Sequence, residues 1–236
     1  MKIYAVVPTY NEKGNIEKMI KRLLLIPDVY PLIVDDNSPD GTSDIVKKLM
    51  KKNKRIELLL RKTNRGRGSA GIAGFEHAVK KKADFIIEMD ADFSHDPKYI
   101  PALVRALSKC DVVLGSRYAN GGKQVGRPFR RQLLTFFANL YIRMILWLPV
   151  QDCNSGFRGY RRSALEKILS KKLEAKGPDI VQEVLYKAHL SKLKICEIPI
   201  TFFEREEGSS KLGLNHLYKG YTAVLKLKWQ HMTGKF

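Results

Sequence analysis

An α/β fold with a mostly parallel central sheet flanked by helices is what this 236-residue sequence predicts. Three features carry the prediction. Strand-like and helix-like patterns alternate through the first half of the chain, the connections are short, and the apolar strand cores end in polar clusters. A chain of this length can bury one large core. Strands are expected over residues 2–7, 30–34, 56–60, 84–88 and 112–114. The intervening helices fall over 13–25, 43–52 (with Thr42 as its cap), 69–82 and 98–108. This β-α-β rhythm implies right-handed crossovers with helices on both faces of the sheet. The longest apolar stretch, 133–150, contains Asn139 and Arg143 and ends at Pro149, so it reads as a buried or interfacial helix and not as a membrane span.

Lys and Arg number 43 against 24 Asp and Glu, a formal net charge of +19. Such an excess points to an anionic partner: nucleic acid, an acidic membrane surface or phosphorylated ligands. Runs such as Lys80-Lys81-Lys82 also suit solvated helix faces, and Lys-rich surfaces occur in heat-adapted proteins. No helix-turn-helix, zinc spacing or RNA-binding aromatic signature supports nucleic acid. Cys110, Cys153 and Cys196 are odd in number and widely spaced, which reads as buried thiols in a reducing compartment. Pro8 interrupts the apolar run Ala5-Val6-Val7, so a secretory signal is not expected.

Ligands of parallel sheets bind beyond the carboxyl ends of the strands, and the polar clusters fall there. Pro8-Thr9-Tyr10-Asn11-Glu12 follows the first strand and Asp35-Asp36-Asn37-Ser38 the second. Asp90-Ala91-Asp92 follows the fourth and Gly115-Ser116-Arg117-Tyr118 the fifth. Carboxylates one residue apart at a strand exit point the same way, and Asp90 and Asp92 can hold a hard divalent cation while leaving room for a diphosphate. The plainer reading is that they cap the helix that Pro97 starts. Asp35 and Asp36 suit a base edge or ribose hydroxyls, or else a turn through Ser38-Pro39-Asp40-Gly41.

The Arg65–Gly71 loop contains Gly66, Gly68 and Gly71 in a G-x-G-x-x-G spacing, but a polar segment separates it from its strand and no P-loop Lys follows. It could cradle a phosphate through its backbone N–H groups, but the favoured role is close helix packing, with the nucleotide nearby. Arg117 at a strand exit, the cluster Arg127, Arg130 and Arg131, and Arg205 with Lys211 in a glycine-containing charged loop all suit oxyanions, because the guanidinium fork makes paired charge-assisted hydrogen bonds.

In order along the chain, VVPTYNE (6–12), VDDNSPDGT (34–42), RGRGSA (65–70), MDADFSHDP (89–97), GSRY (115–118), DCNSGFRGYRR (152–162) and EREEGSSKL (204–212) resemble glycosyltransferase family 2. Within it they are most similar to the dolichol-phosphate (polyprenol-phosphate) mannose synthases, over about residues 1–215. The resemblance implies a GT-A fold with a Rossmann-like sheet, GDP-mannose as donor, Mg²⁺ or Mn²⁺ as cofactor and a dolichyl or polyprenyl phosphate as acceptor. It implies that Pro8, Tyr10, Glu12, Val34 and Asp36 surround the guanosine with Asp35 beside them. Asp90 and Asp92 then take metal and diphosphate, with Ala91 on the nucleotide through its backbone. Ser94 stands where some relatives carry a metal-binding Gln, so with the shorter Ser a water or the donor phosphates complete the set. Arg117, Arg131 and Arg205 would clamp phosphates, with Thr135 near the acceptor and Lys211 near the donor diphosphate.

The acceptor phosphate is already anionic near neutral pH and needs no protein base, so His95 reads as a positioning or structural residue. Residues 1–215 are expected to form the catalytic domain and 216–236 an amphipathic C-terminal helix. That helix suits either a membrane surface or packing on the core; short family members suggest docking onto small membrane-anchoring subunits. The expected location is cytoplasmic, peripheral on the cytoplasmic face of a membrane. A polyprenyl-phosphate glucosyltransferase using UDP-glucose is the nearest alternative, and a basic nucleic-acid-binding module the one from another class.

Overall fold

The computed structural model describes residues 1–204 and 214–234. Its first half alternates as β1 (Ile3–Thr9), α1 (Ile16–Leu24), β2 (Val29–Asp35), α2 (Thr42–Lys52), β3 (Glu57–Leu60), α3 (Arg67–Lys80) and β4 (Phe85–Glu88). A 3-10 turn at Pro97–Tyr99 leads into α4 (Ile100–Leu107), β5 (Val112–Ser116), β6 (Lys123–Val125) and α5 (Phe129–Leu146). Then come β7 (Arg158–Arg161), α6 (Arg162–Leu169), α7 (Ile180–Leu190), β8 (Ile195–Pro199), β9 (Thr201–Phe203) and α8 (Leu214–Met232).

The main sheet has the order β3-β2-β1-β4-β7-β5-β8, and β7 alone runs against its neighbours. The mostly parallel, helix-flanked α/β architecture expected from the sequence is therefore present. β1 is apolar on both faces because both are covered, as parallel central strands require. Tyr4 and Val6 pack into one core layer under α3, α6 and α7, while Ile3, Ala5 and Val7 pack into the other under α1, α2 and α4. Helix α1 shows how periodicity produces this: Ile16, Met19, Ile20 and Leu23 are buried, while Glu17 and Lys21 pair outside at 2.7 Å. Helix α3 lies so close to β1 that a Cβ on Gly74 would sit 2.3 Å from Val6 Cγ1.

Strand β7 inserts between β4 and β5, with Arg158 opposite both Glu88 and Leu114. Because it is antiparallel, the loop that feeds it lies at the carboxyl edge of the sheet, beside the exits of β4 and β5. A small second sheet, β6 with β9, sits near the same edge.

Three sequence expectations need correction. Thr42 is the first residue of α2 and not its cap: Gly41 holds the N-cap position, Asp40 Oδ1 accepts the Thr42 N–H at 2.9 Å, and Thr42 Oγ1 donates to Asp40 and accepts from the Glu12 N–H. Two of the three cysteines are not free thiols: Cys110 and Cys196 form a disulfide with Cα atoms 6.2 Å apart, and Cys153 alone remains free and buried. The pairing follows from strand order, since β5 and β8 are neighbours although the cysteines are 86 residues apart. The helix expected over 133–150 starts and ends about four residues earlier, as α5 (Phe129–Leu146), and it is only partly buried. Asn139, Ile142 and Leu146 face inward, while Phe129, Leu133, Phe136, Leu140, Met144 and Trp147 are exposed. Among the described residues no helix is long and apolar enough to cross a membrane. Helix α8 divides similarly: Val224 and Leu227 join the core, and Leu225, Trp229 and Met232 are exposed.

Candidate active site

At the β2 exit, the fully buried Asp35 accepts from Thr9 Oγ1 (2.9 Å), the Ser38 N–H (2.9 Å) and Ser38 Oγ (2.6 Å). Its carboxylate ties the β1 and β2 exits together and is spent on that scaffold. Asp36 points the other way. It accepts from Arg61 Nη1 at 2.8 Å and from the Gly66 N–H at 2.7 Å, which holds the glycine loop against the strand end. Pro8, Thr9, Tyr10, Asp36, Arg65, Gly66, Arg67 and Ala70 line a cavity of ≈ 380 Å³ there. Of the residues expected around a nucleoside, Pro8, Tyr10 and Asp36 are brought together. The side chain of Val34 lies in the core, and Glu12 turns to the start of α1, accepting from Asn15 Nδ2 at 3.0 Å.

Glu88, at the end of β4, is almost fully buried and accepts from Arg67 Nη1 at 2.5 Å. The same guanidinium reaches Asp90 Oδ1 at 3.2 Å. Burial alone would lower the Arg67 pKa, but the two carboxylates outweigh it and hold the cation above its usual range. Asp92 Oδ1 accepts from the Ser94 N–H (3.1 Å) and Ser94 Oγ (2.7 Å). The helix-capping reading of this pair is excluded, because Asp96 caps the turn by accepting from the Lys98 N–H. Among the described residues no group of three or more His, Cys, Asp and Glu side chains converges into a metal cage. Two hard carboxylates at one strand exit fit a divalent cation that takes its other ligands from a diphosphate and water. His95 is not placed for that role: its Nδ1 accepts the Asp90 N–H at 3.2 Å, and its ring stacks on Phe157 at 5.2 Å. Burial lowers its pKa, against the pull of the Asp90 and Asp92 carboxylates.

The second half of the site is basic. Arg117 follows β5 and makes a fork with Asp152, Nε–Oδ2 at 2.8 Å and Nη2–Oδ1 at 2.6 Å, with its backbone N–H on the same carboxylate at 2.9 Å. Burial opposes this charge, yet the Asp152 carboxylate prevails and raises the Arg117 pKa. Arg127 donates to Thr135 Oγ1 at 2.8 Å and lies over the Phe202 ring at 5.7 Å; burial and the nearby Arg117 charge lower its pKa. Arg131 pairs with Glu204, which also lies 3.7 Å from Arg127 Nε. Arg117, Arg127, Arg131 and Thr135 thus gather around Phe202 and Glu204. Asp92 and Glu204, the partner of Arg131, line one open cleft of ≈ 800 Å³, together with Lys18 and Arg22. Arg205 and Lys211 lie outside the described residues.

The model of the family "Glycosyl transferase family 2" matches residues 4–169, which run from β1 through α6 and take in the site except Phe202 and Glu204. The chain belongs to glycosyl transferase family 2. It is 37% identical over 213 residues to an undecaprenyl-phosphate mannosyltransferase of Micrococcus luteus, covering 90% of this chain and 88% of that one. It is likewise 37% identical to a polyprenol monophosphomannose synthase of Mycolicibacterium smegmatis, over 88% of this chain and 79% of that one. Among solved structures it is similar to glucosyl-3-phosphoglycerate synthase of Mycobacterium tuberculosis, crystallised with Mn²⁺, UDP and product. The TM-score is 0.68 at 19% identity, over 99% of this chain and 80% of that one, so this likeness speaks to the fold.

The reading of motifs picked out the strand exits. It does not assign Arg61, Arg67, Asp152 or Glu204, the residues that neutralise or orient the others. Arg67, Asp152 and Glu204 each belong to a quoted motif, so for them the signal available is a charged residue inside a motif that holds glycine or aromatics.

Proposed function

We propose that this glycosyltransferase moves mannose from GDP-mannose to a dolichyl or other polyprenyl phosphate, with inversion at the anomeric carbon. The observation that carries the proposal is the position of Asp90 and Asp92. Asp90 is bonded to Arg67, which lines a nucleoside-sized cavity edged by Asp36, and Asp92 lines a cleft that it shares with Glu204, the carboxylate beside Arg127 and Arg131. The names of the two 37%-identical relatives support polyprenyl phosphate as acceptor and mannose as the sugar.

Pro8, Tyr10 and Asp36 would receive the guanosine, with Glu12, Val34 and Asp35 forming the wall and scaffold behind it. Asp90, Asp92 and Ser94 would hold Mg²⁺ or Mn²⁺ against the donor diphosphate, with Ala91 contributing backbone. When bound, the cation supplies charge neutralisation on the departing nucleotide. Arg117, Arg131 and Thr135 would hold the acceptor phosphate, and Arg205 and Lys211 would close on the two anions. Proton transfer is not the difficulty, because the acceptor oxygen is already ionised. The burden is aligning two mutually repelling anions, and fixed arginines do that at little reorganisation cost.

The exposed apolar stripe of α5 begins one turn from Arg131, which would let a prenyl tail or membrane surface lie along it. Residues 1–215 then act as the catalytic domain. The segment 216–236 adds a second apolar and basic surface for a cytoplasmic membrane face or a small anchoring subunit. The test is an assay of purified protein, a short polyprenyl phosphate and Mg²⁺ or Mn²⁺ with radiolabelled GDP-mannose or UDP-glucose. Metal-dependent mannosyl product is the expected outcome. Glucosyl product alone would overturn the donor, and no product with either would overturn the activity.

A further inference from the structure

Helix α7 carries a buried ion pair that takes no part in the site just described. Glu183 and Lys187 are 3% and 2% exposed, and their charged atoms lie 3.2 Å apart, one helical turn from each other. Desolvating two charges is expensive, so a buried pair is sustained by what else it bonds. Here the other partners are backbone. Glu183 accepts the Glu174 N–H at 3.0 and 3.1 Å and the Ala175 N–H at 2.8 Å, and Lys187 donates to the Lys172 carbonyl. The pair grips both ends of residues 172–175.

The far side of that segment presses on the glycine loop. The Lys176 carbonyl accepts the Gly68 N–H at 2.9 Å. A Cβ on Gly66 would come within 2.5 Å of the Lys176 oxygen, and one on Gly68 within 2.6 Å of the Ala175 and Gly177 oxygens. Gly66 also sits at φ +136°, a conformation that glycine tolerates and other residues do not. Between these two glycines stands Arg67, bonded to Glu88 and Asp90, and the Gly66 N–H holds Asp36. No residue of 172–187 lines the cavity beside Asp36. Any influence on that cavity therefore passes through the loop.

We infer that Glu183 and Lys187 are positioning residues for the donor site: through residues 172–177 they set the seat of the Gly66-Arg67-Gly68 loop, and so the geometry of Asp36 and Asp90. The inference rests on the reading that the nucleotide occupies that cavity. It explains why a glycine-rich loop without a P-loop sequence is held rigidly, and why its glycines are needed on the side facing away from the cavity.

The test compares three variants with the wild-type chain: the double variant Glu183→Gln/Lys187→Met, Gly68→Ala, and Asp36→Asn as a control. The double variant removes both buried charges together, so neither is left unpaired. Gly68→Ala perturbs the same contact from the opposite side and serves if the double variant does not fold. Calorimetry would give the GDP dissociation constant with Mn²⁺ present, and steady-state kinetics the KM of each substrate. The double variant and Gly68→Ala should each weaken GDP binding and raise the donor KM by about tenfold, with the acceptor KM unchanged. A lowered melting temperature with unaltered GDP affinity would reduce the pair to a structural role and overturn the inference. If Asp36→Asn weakens GDP and the other two do not, the inference fails while the nucleotide reading stands. If Asp36→Asn has no effect either, the nucleotide reading fails and the inference falls with it.

Discussion

The two ends of the site are built on opposite electrostatic plans. Beside β1, β2 and β4, the carboxylates of Asp35, Asp36, Glu88, Asp90 and Asp92 gather at the strand exits, paired in part by Arg61 and Arg67, with Arg65, Lys18 and Arg22 on the surrounding walls. Beside β5, β6 and β9, Arg117, Arg127 and Arg131 face, among the described residues, Asp152 and Glu204. The first end is walled by strands and a glycine loop. The second adjoins an apolar helix face that points outward. An edge with surplus carboxylate calls for a cation, and one with surplus arginine for an anion. The proposed ligand set would satisfy both, with a donor diphosphate and its cation on one side and a lipid-linked phosphate on the other.

The sharpest way to break this division is at its centre. Asp92→Ala should reduce mannosyl transfer by about a thousandfold or more, with the circular dichroism spectrum unchanged; near-normal turnover would refute its place beside the metal. The next effect is on stability. Asp152→Asn leaves the buried Arg117 guanidinium without its countercharge, and should lower the unfolding free energy by about 3–5 kcal/mol, read from urea denaturation. A loss below 1 kcal/mol, on the order of an exposed pair, would show that the fork does not pin the basic end.

A smaller effect separates the two ends directly. Arg131→Met should raise the acceptor KM about tenfold, equivalent to losing one charge-assisted contact, and leave the donor KM alone; a matching rise in donor KM would dissolve the division. The smallest effect lies on the outward face. Phe137→Asp and Trp147→Asp replace exposed side chains, so the melting midpoint should shift by no more than about 0.5 kcal/mol equivalent. Flotation with anionic liposomes should nevertheless fall, and unchanged flotation would remove α5 as the surface that meets lipid.

How much of this was legible in the sequence follows from what each residue does. The β1–β5 core announces itself because its apolar runs keep strand and helix periods, and the polar exits follow because ligands of parallel sheets lie there. Strand β7 was hidden, since Arg-Gly-Tyr-Arg reads as a surface turn. Its Arg158 is nonetheless buried, satisfied by the carbonyls of Ser155 (2.7 Å), Cys153 (3.0 Å) and Val181 (2.5 Å). Such a residue is soluble in the core only through partners that come from distant segments. The same holds for Arg67, Glu183 and Lys187, whose local sequence gives a solvated charge and whose tertiary partners make them internal. The Cys110–Cys196 bond was invisible for a related reason: it depends on β8 lying beside β5, which spacing along the chain does not encode.

The account depends most on Asp90 and Asp92 joining a divalent ion to the donor diphosphate. Mn²⁺ titration followed by electron paramagnetic resonance, with and without GDP, measures this on the wild-type protein and on Asp90→Asn/Asp92→Asn. One tightly held Mn²⁺ per wild-type chain, dependent on GDP and absent in the double variant, is the predicted result. Equal Mn²⁺ and GDP binding by the two proteins would contradict it.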